Sequence, residues 1–573
     1  MQIRFGRSAW TALLVLGCSS AARLSAQVSM FERYGDTPSD QFGRAVAMVG
    51  DVDADGEQDY AVGAPFDNLN GANAGMVRVF SGRTLQPLFT WRGAVAQERF
   101  GASVAGAGDV DLDGQADVIV GAPNAAASAL GYVRVFSGAT GLPLYTVAPS
   151  AISFGSAVAG GGQVDGDGIP DLLVGAPRQN SGAVMNGVVY VLSGVNGAVV
   201  RSHAGNVNYA QLGYSVAFLG DIDGDGSDEY ACGAPAADQL TGNVEVRALD
   251  GASGALLWSN TAANWNDEFG YSLAPITDIN GDSLPDLLVG ATQDVGIGCA
   301  CNGKGFVRAL DGVTGATIYQ ANGTNFYGGL GWSVTAIGDV TGNGYEDFAC
   351  SQPGTGDGSG GCGYVGGSVQ VHEGQTGALL LSLPLVGGSQ SGISLASGDS
   401  NADGLRDVLV GTPCADTNGA NSGSVFVYTI VRAPIVYCES EQNSLGCTPA
   451  IAGVGTPSAT SASPFDVRAT SVLNNKAGLL FYSFKPRQTP FQGGHMCVVS
   501  PTQRTPVQSS GGTAPPANDC SGVFTLDFNA RIQSAVDPLL VVGQEVFAQY
   551  WSRDPPDQST TNLTDALAFY INP

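Results

Sequence analysis

Seven short stretches of the chain place carboxylate and amide side chains at a spacing suited to a hard cation. The first, Asp51-Val52-Asp53-Ala54-Asp55-Gly56-Glu57-Gln58-Asp59, has acids at positions 1, 3, 5 and 9 and a glycine at position 6. Calcium takes several oxygen ligands from one tight loop, and such a loop needs a residue free to turn at its sixth position. The second loop repeats the pattern with Asp109, Asp111, Asp113 and Asp117, and the fourth with Asp221, Asp223, Asp225 and Glu229. The third opens on neutral Gln163 and continues with Asp165, Asp167 and Asp171. The fifth has Asp278, Asn280, Asp282 and Asp286, with Ser283 in the glycine position. The sixth is poorest in charge (Asp339, Thr341, Asn343, Asp347), and the seventh has Asp399, Asn401, Asp403 and Asp407. Affinity follows ligand charge, which ranks the first, second and fourth loops tightest and the sixth weakest. Any one such loop is also an ordinary Asx-type turn. The recurrence is what points to several calcium ions.

The loop starts lie 58, 54, 58, 57, 61 and 60 residues apart. A strand-like stretch opening Phe-Gly or Leu-Gly precedes each of the first six (Phe42-Gly43, Phe100-Gly101, Phe154-Gly155, Leu212-Gly213, Phe269-Gly270, Leu330-Gly331); the seventh lacks it. After each loop comes an apolar run ending Gly-Ala-Pro or a variant, from Gly63-Ala64-Pro65 to Gly411-Thr412-Pro413. A period of this length means repeated units that bury their faces only against each other. Within the second repeat, alternation predicts four strands, over 101–107, 117–121, 132–137 and 143–147.

These three features, recurring together and in order over residues 28–432, resemble the FG-GAP repeats of integrin alpha subunits. The resemblance implies an all-β fold, a seven-bladed β-propeller. It further implies that the cations sit on the lower face as structural ions, opposite a ligand-binding face. The seventh repeat leaves without a clear fourth strand, while residues 28–33 precede the first Phe-Gly where a fourth strand precedes each later one. An N-terminal strand is therefore expected to complete the last blade and close the ring.

The opposite face is expected to carry the long polar connections 66–75, 178–187, 292–305, 354–367 and 414–423. Cys299, Cys301, Cys362 and Cys414 fall there and suit one or two bracing disulfides, whereas Cys232 and Cys350, inside apolar runs, read as buried thiols. Trp91, Trp258, Trp265 and Trp332, with Tyr327, sit near connections between blades. They are candidates for stacking on sugar, against the alternative of blade-to-blade packing.

Residues 1–26 read as an export signal: Arg4 and Arg7, an apolar stretch over 11–17, and Leu24-Ser25-Ala26 at the cleavage point. Lipoprotein anchoring at Cys18 is the alternative. The chain then divides into the signal (1–26), the propeller (27–433) and a smaller β-sandwich-like domain (434–573) with no repeat. In that last part Cys438, Cys447, Cys497 and Cys520 suit two bridges, most simply Cys438–Cys447 and Cys497–Cys520. Glycine, at 83 of 573 residues, fits many turns between short strands.

The formal charge is −27. Such acidity argues against nucleic acid, and 23 of the acidic side chains occupy loop positions. No stretch after the signal has the length and apolarity of a transmembrane helix. The three histidines, His203, His372 and His495, lie in separate units without a motif tying them to a nucleophile. The reading is a secreted or cell-surface, monomeric, calcium-stabilised propeller that binds an extracellular protein or glycan. A lectin-like propeller is the alternative, and a propeller lyase or hydrolase a third.

Overall fold

In a computed structural model of the protein, the repeats become seven antiparallel sheets, the first six built from sequence-adjacent strands and the seventh completed by N-terminal segments. The structure describes residues 24–27, 32–125, 130–236, 244–262, 264–293, 303–325, 328–355, 365–383, 392–399, 406–432, 434–491, 494–500, 502–556 and 560–572. The first sheet runs Ala45–Gly50, Asp59–Ala64, Met76–Phe80 and Pro87–Arg92, in that order across the blade. The second strand of each blade is its apolar centre; Asp59–Ala64, Asp171–Ala176 and Asp286–Ala291 are buried at every residue. The first strands of successive sheets touch in order, and that of the seventh touches that of the first.

The Phe-Gly and Gly-Ala-Pro signatures make that contact. Phe42, Phe100, Phe154 and Phe269 are fully buried between sheets. Gly101 has φ +82° and its amide donates to the Gly121 carbonyl. A Cβ on Gly63 would lie 2.1 Å from the Gly101 carbonyl oxygen of the next blade, so neither glycine tolerates a side chain. Gly411 of the seventh sheet meets Gly43 of the first in the same way.

The seventh sheet contains Ser394–Gly398, Asp407–Thr412 and Ser424–Arg432. Two N-terminal segments pair with the last of these: Glu32–Tyr34 with Phe426 to Ser424, and Leu24–Gln27 with Arg432 to Thr429. Residues 28–31 lie outside the described residues. Leu24–Gln27 overlaps the expected end of the signal; residues 1–23, Cys18 among them, are outside the description.

From residue 434 the strands enter other sheets. Ile435–Tyr437, Thr561–Tyr570, Glu545–Arg553, Ala477–Ser483 and Gln503–Arg504 form one sheet, and Ala450–Val454, Asp466–Val472 and Gly522–Asp527 another. Val467, Ala469 and Phe524 of the smaller sheet pack on Leu480, Tyr482, Ala548 and Leu567 of the larger. The expected disulfide pairing is corrected: the bridges are Cys438–Cys497 and Cys447–Cys520. Neighbours in sequence are not neighbours in this fold. Tyr437 donates to the Cys497 carbonyl at 2.6 Å, which brings Cys438 to the hairpin strand Gly494–Val498, and Asn443 reaches Cys520.

Candidate functional site

Each of the first six acidic loops joins the first strand of a blade to the second, so these loops emerge at the same end of their sheets. The position-1 carboxylate shapes the loop. Asp51 accepts from the amides of Asp55 and Gly56, Asp109 from Asp113 and Gly114, and Asp221 from Asp225 and Gly226. The sixth residue is left-handed in each of the first six loops, as at Gly56 φ 92°, Gly114 φ 93° and Gly226 φ 92°, and at Ser283 with φ 71° where the glycine is replaced.

Position 9 has a different role from the rest. Asp59 is fully buried; its Oδ2 accepts from Val52 N at 2.8 Å and its Oδ1 from Gly82 N at 2.9 Å. The same pair of hydrogen bonds, accepted from backbone amides, ties Asp117 to Val110 and Gly138, Asp286 to Ile279 and Gly312, and Asp347 to Val340 and Gly374. This carboxylate clamps the loop to the turn after the third strand. Burial pushes the carboxyl groups of Asp59, Asp117, Asp286 and Asp347 up to about 6, against their amide bonds, which pull the other way.

Among the described residues, four groups of carboxylates bring their oxygens within 4.8 Å of one another: Asp51, Asp53 and Asp59; Asp109, Asp111 and Asp117; Asp221, Asp223 and Asp225; Asp282, Asp286 and Asp311. Hard oxygen donors converging in this way fit a hard divalent cation. Burial, and then the charge of Asp55, raise the Asp53 carboxyl, so a cation would relieve a repulsion already present. Three of these groups lie in the first, second and fourth loops, which carry four acids each, and the other in the fifth. Asp311 is an addition. It follows the third strand of blade five, at the position Ser81 and Ser137 hold in blades one and two, and accepts from Asn280 Nδ2 at 3.0 Å. In blade six the equivalent Glu373 accepts from Asn343 Nδ2. An acid following Leu310 in a repeat whose loop carries Asn280 for aspartate was the available signal.

Among the described residues, Asp165, Asp167, Asp171, Asp278, Asp339 and Asn343 do not join such a group, and they serve in loop hydrogen bonds. Asp113, Asp225 and Asp55 each accept from the amide two residues on, and Glu229 takes the position-9 role. Asp399 and Asp407 are described, whereas Asn401 and Asp403 lie outside the described residues.

The strand order puts the Phe-Gly ends of the blades opposite the acidic loops. There the residues after Leu212-Gly213, Phe269-Gly270 and Leu330-Gly331 form an aromatic run. Tyr214 and Tyr271 have ring centroids 4.9 Å apart, as do Tyr271 and Trp332. Arg44 and Arg178 lie close enough to act electrostatically on Tyr214.

Two of the tryptophan expectations are corrected. Trp91 and Trp258 are 9% and 7% exposed. The Trp91 indole stacks on Phe136 of the next blade at 4.1 Å, and Trp258 Nε1 donates to the Gly312 carbonyl at 2.7 Å. Their alternation on a fourth strand points them into the neighbouring sheet. Trp332 keeps a half-buried place in the aromatic run, and Trp265 falls in a 3-10 turn, Trp265–Asp267. Cys232 and Cys350 are buried free thiols, with Cys232 pushed up to about 12 by burial. Cys414 is disulfide-bonded; Cys299, Cys301, Cys362 and Tyr327 lie outside the described residues. His203 hydrogen-bonds Tyr230, and His372 sits between Gly377 O and Gln370 Oε1 in another blade.

A family model described as FG-GAP repeat matches residues 42–80, 100–136, 154–192 and 269–305. Among curated proteins, integrin alpha-PS2 of Drosophila melanogaster is 32% identical over 219 residues, covering 36% of this chain and 15% of that protein. Integrin alpha-V of Gallus gallus is 30% identical over 226 residues, covering 36% and 20%. Integrin alpha-IIb of Homo sapiens is 36% identical over 171 residues, covering 26% and 16%. The match thus spans a fifth or less of each of these relatives. A solved structure, BamB from Moraxella catarrhalis, is 14% identical with a TM-score of 0.35, covering 71% of this chain and 98% of that one. At that TM-score the two chains need not share a fold.

Proposed function

We propose that this integrin-alpha-like FG-GAP repeat protein is an extracellular adhesion-type binding module, secreted or held at the cell surface. The acidic loops hold structural calcium, and the opposite face takes a protein partner. The observation that carries this reading is the division of chemistry between the two ends of the blades. Carboxylates converge at one end, and Tyr214, Tyr271 and Trp332 form a partly open aromatic run at the other. Aromatic rings on a rigid frame supply contact area at little entropic cost, and the Arg44 and Arg178 side chains give their surroundings polar character. Burial of Trp91 and Trp258 removes two of the rings a sugar would have stacked on. A glycan reading now rests on Trp332 and its two tyrosines.

The test is affinity capture and chemical cross-linking from extracellular extracts, with residues 27–573 as bait, in calcium and in chelator. A partner retained by the native protein and lost from Tyr271→Ala and Trp332→Ala supports the protein-binding reading. Calcium-dependent binding of the same protein to a defined set of arrayed glycans, with no protein retained, replaces it with the lectin reading.

A further inference from the structure

The larger C-terminal sheet has two apolar faces, which a sandwich does not require. An antiparallel sheet packed on one side commonly turns a polar face to water on the other. Along Ala477–Ser483 the inward residues Leu480 and Tyr482 enter the core between the two sheets. The outward residues Leu479 and Phe481 are apolar as well, and they cluster with Trp551 and Leu563 of the next strands in the sheet. Register places them side by side, Leu479 opposite Trp551 and Trp551 opposite Leu563.

The hairpin of Pro486–Phe491 and Gly494–Val498 covers only part of this face. What remains is a cavity of about 570 Å³, with Phe491 and Met496 in its wall. That volume is within the ~300–1,000 Å³ range of small-molecule sites. The Cys438–Cys497 bridge pins the covering hairpin to the edge of the sheet.

The charge around the cavity is opposite to that of the rest of the chain. Arg504 and Arg553 both line it. Arg504 lies opposite Phe481, while Ser552 opposite Gly478 puts Arg553 at the other end of the same strand. Neither arginine is in an ion pair among the described residues. Residues 469–518 contain Lys476, Lys485, Arg487 and Arg504 and no acidic side chain, in a protein of formal charge −27.

We propose that this cavity binds a free single-chain anionic amphiphile of the fatty-acid class. The hydrocarbon chain lies along Leu479, Phe481, Trp551 and Leu563, where its burial supplies most of the affinity. The anionic head is held by the guanidinium group at one end of the floor. The inference is independent of the propeller's binding face.

Calorimetric titration of the full chain with dodecanoate, below its micelle concentration, tests this directly. Saturable binding of one dodecanoate per chain is expected. The matched cation dodecyltrimethylammonium should not compete. At least one of Arg504→Gln and Arg553→Gln, both exposed and remote from the core, should weaken dodecanoate by about tenfold, the size of a charge-assisted hydrogen bond. A change in Trp551 emission that disappears in Trp551→Phe would place the chain on the floor. Equal binding of anion and cation, unchanged affinity in both arginine variants, or no saturation overturns the proposal. Flotation with vesicles of phosphatidylglycerol, without binding of free dodecanoate, would assign the basic patch to a membrane surface and overturn it as well.

Discussion

The Nε1 of Trp91 donates to the carbonyl of Gly141 at 2.8 Å, across the boundary between the first and second blades. One indole thus does two jobs, stacking on Phe136 at 4.1 Å and satisfying a turn carbonyl of the neighbouring sheet. Trp258 repeats the arrangement with Gly312. Blade boundaries are held by side chains with a polar handle.

Truncating Trp91 should therefore act on stability. Trp91→Ala is expected to cost ~3–5 kcal/mol as a buried large-to-small change. Trp91→Phe keeps the stacking and loses the hydrogen bond, for ~1 kcal/mol. Urea midpoints of the two variants check this. Two midpoints equal to that of the native protein would show that the indole is dispensable to the boundary.

The acidic loops separate into residues that build and residues that bind. Asp59 has both oxygens on backbone amides and also joins the carboxylate group, so Asp59→Asn should destabilise the chain by ~1–3 kcal/mol even in chelator. Asp53 lies in the same carboxylate group and is exposed. Asp53→Asn should reduce only the stabilisation that calcium adds, worth ~1.4 kcal/mol per site at tenfold excess over its dissociation constant. Melting curves of both variants with and without calcium distinguish the roles. Equal behaviour in chelator would merge them.

Protons and calcium should compete for the same ends of the blades. The carboxyl groups of Asp59, Asp117 and Asp286, each a member of a carboxylate group, are raised to about 6 by burial. Without a cation, the folded chain then binds more protons than the unfolded one between the ordinary carboxylate range and about pH 6. That part of the stability is present at low pH and is lost as pH rises through about 6. A bound cation takes the proton's place above that range. The gain in melting temperature on adding calcium is expected to shrink steadily from about pH 7.5 to about pH 5. A gain independent of pH would mean that the cations bind away from these carboxylates.

The seven-fold period, the four-strand unit and the acidic loops were legible because each rests on local chemistry: alternation, a turn at position 6, and a fixed spacing of acids. What the sequence concealed is non-local. Asp311 joins Asp282 and Asp286 only because the turn after the third strand folds back over the loop. The Cys447–Cys520 bridge spans 73 residues because a loop near residue 443 lies across the sheet edge. Trp91 and Trp258 have the same local signature whether they face a sugar or the next blade. The apolar outer face at Leu479 and Phe481 looks, in sequence, like any buried strand.

The N-terminal segment joins the first residues of the propeller to its last sheet. Glu32, Arg33 and Tyr34 pair with Phe426, Val425 and Ser424, and Gly411 meets the Gly43 carbonyl. Signal cleavage after Ala26 would remove three residues of the Leu24–Gln27 pairing and leave Glu32–Tyr34 in place. A chain beginning at Gln27 should therefore melt close to the full chain. One beginning at Gly35 should lose ~3 kcal/mol or more, from ladder hydrogen bonds at ~1 kcal/mol each and an exposed edge on Ser424–Arg432. The two chains differ by eight residues outside the repeats. A shared melting temperature would show that the last sheet is stable on three strands, and a large loss already at Gln27 would make Leu24–Ala26 part of the mature blade.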